Sequence, residues 1–390
     1  MTRKIGPEQD AQSLINEVTR DHGLPMLGLG NAISRRRFLG ATGAVALGAV
    51  AAGCSSSPSS SGGSGGTSKR STTTVTVMLD LLPSPDDAWL WTGMEYGYFK
   101  DEGIEIKTIL PPADLATIPV LVGLGKVDVG FGSPPSMLLA RNRGVPVIGI
   151  ADLIPTRSDG IVSLKTKHIN SLHDLVGKTF ANYNSPDTIA DMKQAMHSIG
   201  EPYTAVTTQF TEYTTPIITA GKVDAGFGLK FGEYIEVENY TGSASWIPLS
   251  NTWGIPPFPF YSLITSENFA HANGDLLKRF IVACMRSIKK YVLGYGAARK
   301  ALTTCCSTGP ESTGPIDVQM EKFDAFQVSF YRSPSDNPAT YTYGLQDAND
   351  WKALLNWAIE PWIQIVPSVQ PIHNYITNEF VTAAAKNPVI

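Results

Sequence analysis

Gly125-Lys126-Val127-Asp128-Val129-Gly130-Phe131-Gly132 recurs 96 residues later as Gly221-Lys222-Val223-Asp224-Ala225-Gly226-Phe227-Gly228, identical at seven of eight positions. Two more markers accompany it in the same order. Gly103 is matched by Gly200, and Ser84-Pro85-Asp86 by Ser185-Pro186-Asp187. A chain that repeats three markers at slowly drifting offsets contains two related supersecondary units. Any fold assigned to it must be built from two similar halves.

Each half reads as β-α-β-α-β. Val75–Asp80 and Lys178–Asn182 are short apolar runs bounded by breakers. The Ser-Pro-Asp that follows supplies an N-cap, a proline at the first helical position and an acid in the first turn. Helices then cover Trp89–Phe99 and Ile189–Ile199. A strand, a short helix and the Val-Asp-x-Gly strand complete each unit. Alternating strands and helices predict a parallel sheet covered on both faces, so each half is expected to be a doubly wound α/β lobe. In such sheets ligands sit beyond the carboxyl ends of the strands. That places candidate binding loops at 80–87, 132–136, 182–187 and 228–233, facing one another across a cleft. Pro256–Ile264 reads as a strand returning to the first lobe, Gly274–Lys290 as an amphipathic helix and Trp351–Trp362 as core packing. The expected division is 75–158 for the first part of lobe 1, 159–261 for lobe 2, and 262–390 for the return to lobe 1 and the C-terminal helices.

The residues before this body are of another kind. Ser34-Arg35-Arg36-Arg37-Phe38-Leu39 precedes an uncharged Gly/Ala-rich run ending at Gly53. A membrane-spanning helix needs about 20 apolar residues, so this shorter run suits a signal-peptide core. Arg35 and Arg36 in that setting resemble the twin-arginine export signal. Ala51-Ala52-Gly53-Cys54 resembles a bacterial lipobox, in which Cys54 is acylated after residues 1–53 are removed. A plain cleavage site with a spectator cysteine is the alternative. Residues 54–74 are nearly pure Ser, Gly and Thr, a flexible tether with a reach of about 25 Å.

Composition excludes some functions. The chain has 31 basic and 35 acidic side chains, a net charge of −4, and 43% hydrophobic residues. Nucleic-acid binding would leave a basic footprint, so no nucleic-acid partner is expected. Six histidines show no metal-ligand spacing, and G-x-S-x-G, Walker and H-E-x-x-H motifs are missing. No catalytic residue, metal or cofactor is therefore expected. With Cys54 lipidated, Cys284, Cys305 and Cys306 remain. One bridge from Cys284 to the 305–306 pair, or buried free thiols, are both open.

The segments Leu79–Asp87, Gly97-Tyr98-Phe99-Lys100-Asp101-Glu102-Gly103-Ile104, Gly125–Asp128 and Leu138–Val147 resemble the substrate-binding proteins of ABC importers. More narrowly they are similar to the group that handles thiamine-pyrimidine precursors, nitrate and sulfonates. The resemblance covers roughly residues 75–265. It implies a type II periplasmic-binding-protein-like fold, a small-molecule ligand, delivery to an ABC permease and its ATPase, and a location outside the bacterial cytoplasmic membrane, held there through the lipid anchor. A fungal branch of the group is a hydroxymethylpyrimidine synthase, which keeps an enzyme alternative in view. The pyrimidine branch carries Trp, Pro, Asn and His where this chain has Leu82, Pro83, Ser84 and Asp87. A glutamate after the second Val-Asp-x-Gly strand is retained as Glu233.

A cleft of this type needs a few oriented polar groups on aromatic and apolar walls. The candidates are Asp80, Ser84, Asp87, Ser133, Ser185 and Glu233 for polar contacts, and Trp89, Tyr183 and Trp253 for flat faces. Trp89 and Trp91 are expected to split, one inward and one toward the cleft. Asp86 and Asp187 read as helix-start residues that serve the helix dipole. Carboxylates accept from amino groups, whereas an anion calls for arginine or bare helix N-termini. The expected ligand is therefore an amino-bearing flat heterocycle such as an aminopyrimidine, with nitrate or sulfonate as the alternative.

Overall fold

The computed structural model describes residues 71–387 apart from 82, 113, 295, 297–299, 301–314 and 334. The export leader with Arg35 and Arg36, Cys54, the tether to residue 70, and Leu82, Cys305 and Cys306 lie outside the described residues.

The first unit runs β1 (Thr73–Met78), α1 (Ala88–Glu95), β2 (Ile104–Ile109), α2 (Ile118–Gly123), β3 (Val129–Gly132), α3 (Pro134–Asn142) and β4 (Val147–Ile154). The second runs β5 (Asp159–Leu164), β6 (Thr179–Asn182), α4 (Pro186–Ser198), β7 (Thr207–Phe210), α5 (Thr215–Thr219), β8 (Ala225–Leu229), α6 (Glu233–Thr241) and β9 (Ala244–Pro248). After it come β10 (Tyr261–Ser266), α7 (Gly274–Leu293), α8 (Ile316–Phe326), α9 (Ala348–Ala358) and α10 (Glu379–Ala384). Two five-stranded sheets result, ordered β2-β1-β3-β10-β4 and β7-β6-β8-β5-β9.

The repeated string has a physical counterpart in each lobe. Asp128 accepts from the backbone N–H and hydroxyl of Thr76, at 2.8 and 2.7 Å. Asp224 accepts in the same way from Thr179, at 2.9 and 2.8 Å. In both pairs the threonine hydroxyl also takes the aspartate's own N–H. The acid of the Val-Asp-x-Gly motif thus ties the start of the third strand to the first. The glycine two residues on is forced by close packing: a Cβ at Gly130 would lie 2.5 Å from Val122, and one at Gly226 would lie 2.6 Å from Ile218. Val122 and Ile218 are themselves repeat equivalents.

The sheets depart from the expected all-parallel arrangement. β10 runs antiparallel to β3 and β4, and β5 antiparallel to β8 and β9. Each of these strands arrives from the opposite lobe through a loop, 155–158 for β5 and 249–260 for β10, instead of through a helix, so no βαβ rule fixes its direction. The returning strand begins at Tyr261 rather than Pro256, since Pro256, Pro257 and Pro259 have no N–H to give a ladder.

The C-terminal elements pack chiefly on the first lobe. α7 buries Leu277, Phe280, Ile281, Cys284, Ile288 and Tyr291 at helical spacing, in one core with α1 and with Phe323, Phe326 and Phe380. Cys284 is a free thiol there, and burial pushes its pKa up. Beyond α9, Gly149 exchanges hydrogen bonds with Tyr375 and Thr377, extending the β4 edge. Trp351 is buried with its indole N–H on Asp152 at 2.9 Å, whereas Trp362 is exposed at the far end of the aromatic segment.

Candidate functional site

The four loops at the carboxyl ends of β1, β3, β6 and β8 converge between the lobes. Asp80, Asp86 and Asp87 follow β1 and are all buried. Ser84 caps the Pro85–Asp87 turn, accepting from the Asp86 N–H at 3.2 Å. After β3, Ser133 caps α3 by accepting from the Ser136 N–H, and its hydroxyl lies 3.4 Å from Asp187 of the other lobe. After β6, the Ser185 hydroxyl donates to Asp187 instead of capping α4.

Glu233 opens α6 immediately after β8. One of its oxygens accepts from the Tyr183 hydroxyl and the other from the Leu229 N–H at 2.8 Å. This approach requires Gly228, where a Cβ would come within 2.8 Å of that of Glu233. Glu233 is thus tied within the second lobe and orients Tyr183, whose ring meets Phe227 edge-on.

Electrostatics mark the β1 loop as the unusual part. Burial raises the Asp80 pKa to about 7, opposed by a hydrogen bond from the Tyr261 hydroxyl. Asp86 and Asp87 are pushed well above the carboxylate range, by burial first and then by repulsion from neighbouring acids; for Asp86 those include Glu233 across the cleft. Asp80 Oδ1 has no hydrogen-bond partner, and no side chain meets either oxygen of Asp87. A buried polar group left in this condition costs about 1–3 kcal/mol. Such groups await a partner, and a carboxyl whose pKa is raised by burial takes up a proton more readily, in which form it both donates and accepts.

Other buried acids are paired with cations within the protein. Arg157, on the crossover between β4 and β5, pairs with Asp159 at 2.5 Å and with Asp191 of α4. Lys322 of α8 pairs with Glu236 of α6 at 2.5 Å. A cavity of about 300 Å3 opens beside the crossover, lined among others by Arg157, Asp159, Lys230, Trp246 and Tyr331. Lys230 lies over the Tyr234 ring there, 3.3 Å from its centroid.

Asp80, Ser84, Asp87, Ser133, Tyr183, Ser185 and Glu233 are therefore gathered at one interlobe cleft. The two tryptophans are not. Trp89 is fully buried against Phe131 and Phe280, and Trp91 shares that core, so the expected split between core and cleft does not occur. The pair sits on a helix whose surroundings are covered by α7 on one side and the sheet on the other. Trp253 lies on the outer surface, 38% exposed, its indole N–H on the Pro248 carbonyl and its own carbonyl on Gln194. Asp86 belongs to the cleft as well as to the helix start. Tyr261, Arg157 and Lys322 escaped the sequence reading; a Pro-rich run preceding Tyr261 and breakers around Arg157 were the available signals, and Lys322 had none.

Comparison with known proteins agrees with this architecture. The family described as NMT1/THI5 like matches residues 84–293. A formylaminopyrimidine-binding protein from Halalkalibacterium halodurans is 24% identical over 285 residues, covering 73% of this chain and 84% of that protein. A 4-amino-5-hydroxymethyl-2-methylpyrimidine phosphate synthase from Saccharomyces cerevisiae is 31% identical over 169 residues, but the match spans only 43% of this chain and 49% of the synthase. Among solved structures, the periplasmic nitrate-binding protein of Synechocystis PCC 6803 superposes with a TM-score of 0.58 at 13% identity, covering 81% of this chain and 89% of that one. The fold is that of the periplasmic binding proteins, and the chain belongs to the NMT1/THI5-like family.

Proposed function

We propose that this protein is an exported solute receptor of an ABC importer, which closes its two lobes on a small aminopyrimidine-like heterocycle and presents it to a permease. The observation that carries this reading is the set of buried, unmet carboxyl oxygens on Asp80 and Asp87 at the interlobe cleft. An aminopyrimidine offers an amino donor beside a ring-nitrogen acceptor. A protonated carboxyl offers the complementary acceptor and donor, so two parallel hydrogen bonds can form. Tyr183, held by Glu233, provides an aromatic face. The similarity to a formylaminopyrimidine-binding protein supports the same ligand class.

Capture works by differential affinity: the solute contacts both lobes only when they are closed, which shifts the population toward the closed form. The sequence upstream of the body supports removal of residues 1–53, acylation of Cys54 and tethering outside the cytoplasmic membrane. Binding without turnover is favoured over synthase chemistry because the match to the formylaminopyrimidine-binding protein covers more of both chains, 73% and 84%, than the match to a synthase from Aspergillus parasiticus, 57% and 68%.

A thermal-shift screen over formylaminopyrimidine, alkanesulfonates, nitrate and polyamines tests this, since a ligand stabilises by RT ln(1 + [L]/Kd). Aminopyrimidines should raise the melting temperature and leave the incubation unchanged in mass. A shift with sulfonates or nitrate alone, or conversion of the pyrimidine, would overturn the reading.

A further inference from the structure

Helix α8 lies beyond the family-matched segment, yet it touches both sides of the cleft. Phe323 and Phe326 anchor it in the first lobe's core, and the Phe323 carbonyl accepts from the Tyr291 hydroxyl of α7. Another part of it meets both the Pro85–Asp87 turn of the first lobe and helix α6 of the second. From there Lys322 reaches across. Its side chain is only 10% exposed, and its ammonium is 2.5 Å from Glu236 Oε1. Glu236 is fully buried, its other oxygen fixed by the hydroxyls of Tyr213 and Thr215. Next to Lys322 on the helix, Glu321 accepts from Asn239 of α6 at 2.9 Å.

Closure of this cleft meets an electrostatic obstacle. Asp86 belongs to one lobe, Glu233 and Glu236 to the other, and closing brings these acids together while removing water, which disfavours the ionised form of Asp86 and Glu233. Repulsion from Glu233 across the cleft is one of the causes that raise the Asp86 pKa, after burial and Asp80. Lys322 is the cation set against all three acids.

We propose that Lys322 is a positioning residue for closure: carried by α8 on the first lobe, it enters between Asp86 and the Glu233–Glu236 pair of the second and allows the cleft to close on an uncharged ligand. It acts through these carboxylates rather than through the ligand. Without it, closing would require positive charge brought by the solute or protons taken from water. The groups facing Lys322 are Asp86 on the turn, Glu233, Glu236 and Tyr240 on α6, and, through Glu236, Tyr213 before α5. Glu321 and Asp324 flank it on its own helix. The ligand in this proposal rests on the receptor reading above; the effect on closure does not.

The test compares the wild type with Lys322→Gln and Lys322→Arg by small-angle scattering without ligand, and by calorimetric binding of formylaminopyrimidine, at pH 7.5 and 5.5. Lys322→Gln should enlarge the radius of gyration at pH 7.5 and raise Kd at least tenfold. Both changes should shrink at pH 5.5, toward which Asp86 and Glu233, their pKa values raised by burial, take up protons. Lys322→Arg should stay within about threefold of the wild type. Unchanged compactness of Lys322→Gln at pH 7.5, or an equal loss at both pH values, overturns the proposal. If the wild type binds no aminopyrimidine, the receptor reading fails and the scattering arm still decides this one. Should Lys322→Gln not fold, Glu233→Gln read by scattering serves instead: removing an acid whose pKa is raised by burial should weaken the pH dependence of closure, and an unaltered dependence counts against the proposal.

Discussion

The Ser133 hydroxyl meets the Asp187 carboxylate across the cleft at 3.4 Å, each residue at the start of the helix that follows a strand of its own lobe. The contact exists only while the lobes are together. Ser133→Ala should therefore weaken ligand affinity by about two- to fivefold, the low end for a hydrogen bond, and separately lower ligand-free stability by about 0.5–2 kcal/mol through loss of the α3 cap. Calorimetry and thermal melting on the same preparations separate the two. Lowered stability with unchanged affinity would make Ser133 a helix cap and nothing more.

Asp128 and Asp224 have the same structural task in the two lobes, and neither faces the cleft. Asp128→Ala removes two acceptor contacts from Thr76 and should cost about 2–3 kcal/mol in stability. Ligand affinity of the folded fraction should be preserved. Urea unfolding with a binding assay checks this; a tenfold loss of affinity at unchanged stability would place Asp128 in the binding machinery.

Asp80 gives the cleft a definite pH signature. Its pKa rises from 3.8 to about 7 on folding, so between these values the native state holds a proton that the unfolded chain has lost. The stability from this group is present below about pH 4 and falls as pH climbs to 7, by about 1.4 kcal/mol per unit at most. Asp80→Asn should flatten that fall and leave the ligand-free protein more stable at pH 7.5. Unfolding free energies measured from pH 4 to 8 would show it, and an unchanged slope would contradict the burial argument.

Arg157 compensates Asp159 and Asp191, both buried. Arg157→Leu would leave two carboxylates without a cation and should cost about 3–5 kcal/mol. The deficit should shrink at low pH as those carboxyls protonate. Denaturant midpoints at pH 7.5 and 5 provide the comparison; an equal deficit at both would assign the loss to packing against Phe258 alone.

The fold was largely legible because duplication shows itself locally. The Val-Asp-x-Gly string, its preceding apolar helix and the Ser-Pro-Asp turn each encode a contact made within one lobe. The cleft loops were legible by the same route, since their position follows from strand direction. What could not be read were relations between distant segments. Trp89 has the composition of a ligand platform, yet α7, nearly 200 residues later, covers it. Lys322 is an ordinary lysine on a helix until the turn at Asp86 and helix α6 are brought around it. Direction of β5 and β10 was hidden because both arrive from the opposite lobe.

Those two arrivals have a mechanical meaning. The chain passes between the lobes by two separate strands of backbone, one through Arg157 and one through Phe258, and the guanidinium of the first sits 4.0 Å from the ring centre of the second. A single strand would leave one rigid half free to swivel and slide against the other. Two strands fastened side by side suppress twisting and leave bending as the soft coordinate. Opening and closing then follow nearly a single path, and the matching faces return to the same register on every cycle of capture and release.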